Sequence, residues 1–246
     1  MGLPPEHEIA VGTITPSGNR TVEKVMQQLC RALDGVVPVF TRIPVHGATS
    51  PEASPDGPYV WPVMQEAATL LSHAAPAALC WNGSKGGDYG FDVDEDLCRR
   101  ITSWTGLPAV TSALATLELL SRLSLTQIAL VTPYVPAVHA RAAAGFARKG
   151  LDVCGEAHAG ITDNLAYGAL PAGQIAALAR SAIAGCDAQA VVFFCTNLHG
   201  AQVVPQLEAE TGLPVIDSAA AGGWALLRAA GIDTRPLLPF GRIFGL

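Results

Sequence analysis

Short apolar runs alternate along this chain with longer stretches in which apolar positions recur at helical spacing, the pattern of parallel α/β units. In the first half the runs predict strands near 8–14, 36–43, 77–80 and 108–111, with helices near 19–33, 61–74, 93–104 and 114–123. In the second half strands are predicted near 127–132, 151–155, 190–195 and 214–217, with helices near 135–149, 172–185, 201–211 and 220–230. The order of elements is the same in both halves. The expectation is an α/β fold of two lobes related by a pseudo-twofold axis, each a four-stranded parallel sheet flanked by helices. Ligands of such sheets sit beyond the carboxyl ends of the strands, which places the active site in the cleft between the lobes.

The letters repeat as well as the pattern. Thr105-Gly106-Leu107-Pro108-Ala109-Val110-Thr111-Ser112-Ala113 returns as Thr211-Gly212-Leu213-Pro214-Val215-Ile216-Asp217-Ser218-Ala219, and the strands that open the halves stop at Thr15-Pro16 and Thr132-Pro133. This divides the chain into a first lobe at 1–112 with a crossing helix at 113–126, a second lobe at 127–218, and a C-terminal helix and tail at 219–246 packing back across the lobes. Each half also carries an apolar run that leads to a cysteine, Cys80 in one and Cys195 in the other. The pseudo-symmetry would bring the two thiols to opposite walls of one cleft, a geometry for chemistry on both faces of a small molecule.

Composition narrows the field. Half of the 246 residues are hydrophobic, enough for a large core, and the formal net charge of −6 without any Lys/Arg cluster argues against nucleic acid and anionic membranes as partners. No secretory leader and no apolar run of membrane-spanning length is visible, so a cytoplasmic protein is expected. Six cysteines without C-x-x-C spacing fit free thiols rather than zinc or a dithiol couple. Cys30, Cys98, Cys154 and Cys186 read as small core or surface residues.

Other motifs carry less. Asn82-Gly83-Ser84-Lys85-Gly86-Gly87 does not meet the phosphate-loop pattern, and the acids from Asp88 to Asp96 lack the glycine and terminal glutamate of a calcium loop. They suit the first turn of a helix, where they complement its dipole. No metal and no organic cofactor is expected. The Pro-, Gly- and Ser-rich stretch at 45–58 follows a strand on the cleft edge and is a candidate lid. Ser17 and Asn19 offer polar groups just past the first strand, Tyr134 holds the corresponding place in the second half, and Thr196-Asn197 follow Cys195 at a loop-to-helix junction whose N–H groups would lower a thiol's pKa.

Thr15-Pro16-Ser17-Gly18-Asn19, Cys80-x-x-Gly83-Ser84, Val131-Thr132-Pro133-Tyr134, Asp163-Asn164 and Cys195-Thr196-Asn197-Leu198 together resemble the aspartate/glutamate racemase superfamily, in the branch holding maleate cis-trans isomerase and arylmalonate decarboxylase. By that resemblance, the position of Cys80 is a thiolate nucleophile in the isomerases and that of Cys195 its acid/base partner, while those of Asn19, Tyr134 and Asn164 hold substrate carboxylates. The decarboxylases keep only the second cysteine, with glycine in place of the first, and line a dioxyanion pocket at the positions of Trp81, Asn82, Tyr134, Thr196 and Asn197. The resemblance also implies a homo-oligomer. With two cysteines present, the leading expectation is a cofactor-independent isomerase of a small mono- or dicarboxylate, maleate to fumarate, through a Cys80-bound enediolate. A racemase of amino acids or hydantoin-type compounds, a decarboxylase with Cys195 as proton donor, and a non-enzymatic carboxylate-binding protein are the alternatives.

Overall fold

The computed structural model describes residues 8–44 and 59–246; the candidate lid at 45–58 lies outside them. The first half runs β1 (Ile9–Pro16), α1 (Thr21–Arg31), β2 (Val36–Ile43), α2 (Trp61–Ser72), β3 (Leu79–Trp81), α3 (Gly86–Tyr89), α4 (Asp92–Thr105), β4 (Ala109–Thr111) and α5 (Ser112–Arg122). The second runs β5 (Gln127–Thr132), α6 (Pro136–Arg148), β6 (Asp152–His158), α7 (Asn164–Tyr167), α8 (Ala172–Ile183), β7 (Ala190–Phe193), α9 (Val204–Thr211), β8 (Val215–Asp217) and α10 (Ser218–Ala229). A 3₁₀ turn, Gly200–Val203, leads into α9, and two more, Arg235–Phe240 and Arg242–Gly245, form the tail. The sheets have matching orders, β2-β1-β3-β4 and β6-β5-β7-β8, with every pairing parallel.

The repeated Thr-Gly-Leu-Pro has a structural cause. In each copy the glycine ends a helix in the left-handed region, Gly106 at φ 75° and Gly212 at φ 73°, where a side chain would be strained. The threonine before it donates its hydroxyl back along the helix, Thr105 to Ile101 O and Thr211 to Leu207 O, both at 2.7 Å. The same hydroxyls accept the next N–H groups, from Leu107 and Leu213, both at 3.2 Å. The proline then forbids helix and starts the strand. One sequence unit therefore builds one corner twice.

Register turns the repeat into a residue-by-residue equivalence. Ile14, Trp81 and Thr111 lie side by side across β1, β3 and β4; Val131, Phe193 and Asp217 do so across β5, β7 and β8. Trp81 thus corresponds to Phe193 and Thr111 to Asp217. One step back, Cys80 corresponds to Val192; two steps on, Gly83 corresponds to Cys195.

Inward faces of both sheets meet in one core. Val11 and Cys80 from the first sheet, Leu130 and Val192 from the second, and Phe146, Trp224, Leu237 and Phe244 belong to a single buried cluster. Helix α10 packs on α5, α1 and β4 of the first half as well as on β8 of its own. Two outer clusters fill the opposite faces, one around Trp81 and Tyr59, the other around Tyr134 and Cys195.

Differences from the expected elements cluster at the cleft edge. The β3 strand is Leu79–Trp81, so it continues past Cys80, whereas β7 stops at Phe193, two residues before Cys195. The short helices α3 and α7 were not expected, because four residues are too few for a period to show. The acids at 92–95 do fill the first turn of α4, but Asp94 is fully buried and its carboxylate accepts the Tyr59 hydroxyl proton.

Candidate active site

The cleft edge is held together by polar side chains that cross from one half to the other. Asn19 follows β1 and uses both ends of its amide: Oδ1 accepts Thr21 N–H at 2.9 Å and Val22 N–H at 3.0 Å, capping α1, while Nδ2 donates to Thr196 Oγ1 at 3.0 Å. Thr196 in turn donates to Asn82 O at 3.2 Å, and Asn82 Nδ2 donates to Ala219 O at 3.1 Å on α10. Asn197 makes a second crossing. Its carbonyl accepts Thr21 Oγ1–H at 3.1 Å, its Oδ1 accepts Arg20 N–H at 3.3 Å, and its Nδ2 donates to Asn164 O at 2.6 Å.

These partners revise the expected roles of several residues. The Asn19 side-chain amide, expected to hold a substrate carboxylate, and the Asn197 side-chain amide both bridge the two halves. Ser17 is exposed, and its backbone anchors the strand end, with N–H to Ile43 O at 2.8 Å and its carbonyl accepting Arg42 Nη1 at 2.8 Å. Asn164 stands at the start of α7, its Nδ2 against Gly18. Trp81 is buried in the outer core of the first half, its Nε1 donating to Tyr59 Oη at 3.1 Å. Asn19→Ala removes a helix cap and a buried crossing bond together. It is expected to cost about 2 kcal/mol, a fall in Tm of about 4–8 °C in a chain of this size, read by thermal unfolding.

The two cysteines stand in different places. Cys195 lies in the loop beyond β7, where the Tyr134 hydroxyl and the Asn197 and Leu198 N–H groups bear on its sulfur. Tyr134 Oη is also 3.2 Å from Ser84 Oγ, which brings the loop after β3 to the same point. Tyr167 packs edge-on against Tyr134 with ring centroids 5.5 Å apart. Cys80 instead is the middle residue of β3, paired with Thr13 and Val110, fully buried in the shared core. The ionisable groups that bear on its thiol are Cys98 and Asp94 of α4. The expectation of two thiols at matching strand ends is corrected on this point. Cys80 matches Val192 of the other half, and the match of Cys195 is Gly83.

Gly83 has no room for a side chain. A Cβ there would fall 2.4 Å from Cζ2 of the Trp81 ring, so the indole occupies the space in which a second thiol would project. The Gly83 carbonyl is fixed by Ser112 Oγ at 2.9 Å.

Electrostatics also depart from expectation. Burial pushes the Cys195 thiol up to about 11, against the downward pull of the Tyr134 hydroxyl and the loop N–H groups. Burial drives Cys80 well above its ordinary value, with the nearby Cys98 and Asp94 adding to the rise. Both thiols are therefore protonated near neutrality. The N–H groups of Gly83, Ser84 and Thr196 make no hydrogen bond among the described residues, leaving backbone donors on the loops after β3 and β7. A protonated thiol, a phenol and free N–H groups at one edge can deliver a proton to an anion and stabilise the charge that precedes it.

The sequence pattern of the family described as arylmalonate decarboxylase matches residues 59–244. The chain belongs to the arylmalonate decarboxylase family. The arylmalonate decarboxylase of Bordetella bronchiseptica is 32% identical over 141 residues, 57% of this chain and 59% of that protein's length. The maleate isomerase of Nocardia farcinica is 28% identical over 231 residues, 89% of each chain. Among solved structures, the maleate isomerase Iso from Pseudomonas putida S16 superposes with a TM-score of 0.86 at 24% identity, covering 96% of this chain and 98% of its own. Unliganded arylmalonate decarboxylase gives 0.78 at 25% identity with the same coverage. Proteins named for decarboxylation and for isomerisation thus share the fold of this chain, and among the described residues no helix is long and apolar enough to cross a membrane.

Sequence reasoning missed Tyr167 and Asp217, and it quoted Ser84 in a motif without giving it a role. Tyr167 carries no motif of its own. Asp217 had a visible signal, since it is the only acidic residue in the nine-letter repeat and stands where the first copy has Thr111.

Proposed function

We propose that this protein is a cofactor-independent decarboxylase of a substituted malonate, with Cys195 as the proton donor. The observation that carries this reading is that, of the two expected thiols, Cys195 lies in the loop past its strand end, where the other half has Gly83, while Cys80 lies within β3. Loss of CO₂ from the malonate leaves the bonding electron pair on the α-carbon, delocalised into the remaining carboxylate as an enediolate. The Tyr134 hydroxyl and the free N–H groups of Gly83, Ser84 and Thr196 are the donors suited to that charge. One well-placed donor of this kind contributes about 3 kcal/mol. The Cys195 S–H then forms the new C–H bond, and the thiolate left behind regains its proton from water. A thiol that is protonated at rest is what the first turnover needs.

A second reading, cis-trans isomerisation of maleate, is favoured by the Nocardia relative, whose similarity runs over 89% of both chains. It needs a sulfur nucleophile on the first wall, and Cys80 is held inside β3.

The test is a proton NMR time course of the purified protein with phenylmalonate and, separately, with maleate. Decarboxylation yields phenylacetate, carrying one deuterium per turnover when run in D₂O. Fumarate from maleate with phenylmalonate untouched would instead establish the second reading.

A further inference from the structure

Asp217 has no place in the chemistry above, yet it is a fully buried carboxylate on the same sheet edge as the reacting thiol. It ends β8, paired with Phe193 of the strand that leads to Cys195. Its Oδ1 accepts Ala220 N–H at 2.9 Å and caps α10, as Thr111 Oγ1 accepts Leu114 N–H at 3.1 Å to cap α5 in the other half. A threonine would therefore serve the cap. The second oxygen distinguishes Asp217. Oδ2 makes no hydrogen bond among the described residues and lies against the backbone of Gly200, where a Cβ would come within 2.7 Å of it. Gly200 belongs to the loop that starts at Cys195.

We propose that Asp217 is a positioning residue for Cys195: its buried carboxylate, with one oxygen against the backbone of Gly200, supports the loop that presents the sulfur and adds its charge to the burial that holds the sulfur as a thiol. No lysine or arginine pairs with Asp217 among the described residues, so no opposite full charge cancels its own. Burial raises the Asp217 carboxyl to about 7, against the pull of the Ala220 N–H that it accepts and of the nearby N–H dipoles of Ala219, Ala201 and Gly200, which do not reach hydrogen-bond geometry with Oδ2, and its charge acts in the direction that raises Cys195. Other ionisable groups around the thiol are Tyr134 and Tyr167, with Asp88 of α3 bearing on both phenols. On the far side of β8, Glu208 of α9 is occupied by Val215 N–H at 3.1 Å and Arg242 N–H at 3.0 Å. Asp217 is thus the acid that shares the second half's sheet edge with the thiol. Two neighbouring buried groups do not readily ionise together, so the first to charge holds the second neutral. A proton donor benefits from that order.

That Cys195 gives its proton to substrate rests on the proposed function, but the state of the thiol can be read without any substrate. The experiment is iodoacetamide alkylation of the whole protein from pH 6 to 9, with Cys195 followed by peptide mass spectrometry, in wild type, Asp217→Asn and Asp217→Thr. Removing the charge should speed alkylation of Cys195 at pH 8 by about threefold to tenfold, since a tenfold change in thiolate corresponds to one pKa unit. In wild type the rate should climb by less than tenfold per pH unit around pH 7, the window in which Asp217 charges. Unchanged Cys195 alkylation in variants with native near-ultraviolet circular dichroism overturns the assignment. Should neither variant fold, a wild-type rate that rises tenfold per unit throughout overturns it alone. Faster alkylation in a protein inert toward phenylmalonate would sustain the Asp217 assignment while removing the decarboxylase reading.

Discussion

Cys195→Ala is expected to lower kcat for the malonate by about 10²- to 10⁴-fold, the usual contribution of a positioned general acid, while Cys80→Ala leaves kcat where it was. The contrast follows from placement. Cys195 is in a loop beyond the strand with a phenol and two N–H groups on its sulfur; Cys80 is locked in the β3 ladder and faces the core that both sheets share. Its loss should appear in stability instead, at about 1–2 kcal/mol for a small buried side chain cut back to alanine. Serine adds a discriminating step. A buried hydroxyl at position 80 has no partner waiting and should cost more than alanine, whereas a nucleophile's position would show its penalty in rate. Measuring kcat and Tm on the same three variants separates the roles, and a large loss of rate in Cys80→Ala with unchanged Tm would return the two-thiol isomerase to first place.

The repeat made most of the fold legible. Thr-Gly-Leu-Pro marks the same helix-to-strand corner twice, and the apolar runs locate the eight strands of the described residues, most plainly the central β3, β5 and β7, because a buried parallel strand leaves an unbroken run behind it. What the letters do not carry is register. Cys80 and Cys195 each close an apolar run, but a run does not say how far it is paired. In β3 the pairing includes Trp81, and in β7 it ends at Phe193. A displacement of three residues along equivalent strands puts one cysteine inside its strand in the shared core and the other, also buried, in the loop past its strand end. The indole of Trp81 supplies the physical reason the first edge can be a glycine, since it fills the space beside Gly83.

Polar residues at the cleft were found by type but not by task. Asn19, Thr196 and Asn197 are all at the edge, yet their side chains are committed to one another and to carbonyls across the halves. A sequence shows that an amide is available, not whether the fold has already used it. The thiol pKa values missed in the same way. Loop N–H groups do lean on Cys195 as expected, but burial outweighs them, and burial is a property of the assembled halves.

The join between the halves is also where the second large effect is expected. Gly145 of α6 and Gly87 of α3 touch through their backbones: a Cβ on Gly145 would lie 2.0 Å from Gly87 O and 3.0 Å from its carbonyl carbon. No side-chain rotation relieves a clash with backbone, so Gly145→Ala must part the two helices. Overpacking of this severity costs about 3 kcal/mol, a fall in Tm of about 6–12 °C at this chain length. The displacement does not stop at stability. Helix α3 follows directly on Gly83 and Ser84, and moving it draws Ser84 away from the Tyr134 hydroxyl that also reaches Cys195, so kcat should fall with Tm. Gly173→Ala is the matching control, in the first turn of α8 with nothing within 4 Å of the added carbon. There the methyl group favours helix and should leave Tm equal or slightly higher. A Gly145→Ala protein as stable and as active as wild type would mean that the halves can slide apart without disturbing the cleft, and that the crossing bonds of Asn19 and Asn197, rather than the α3–α6 contact, set its geometry.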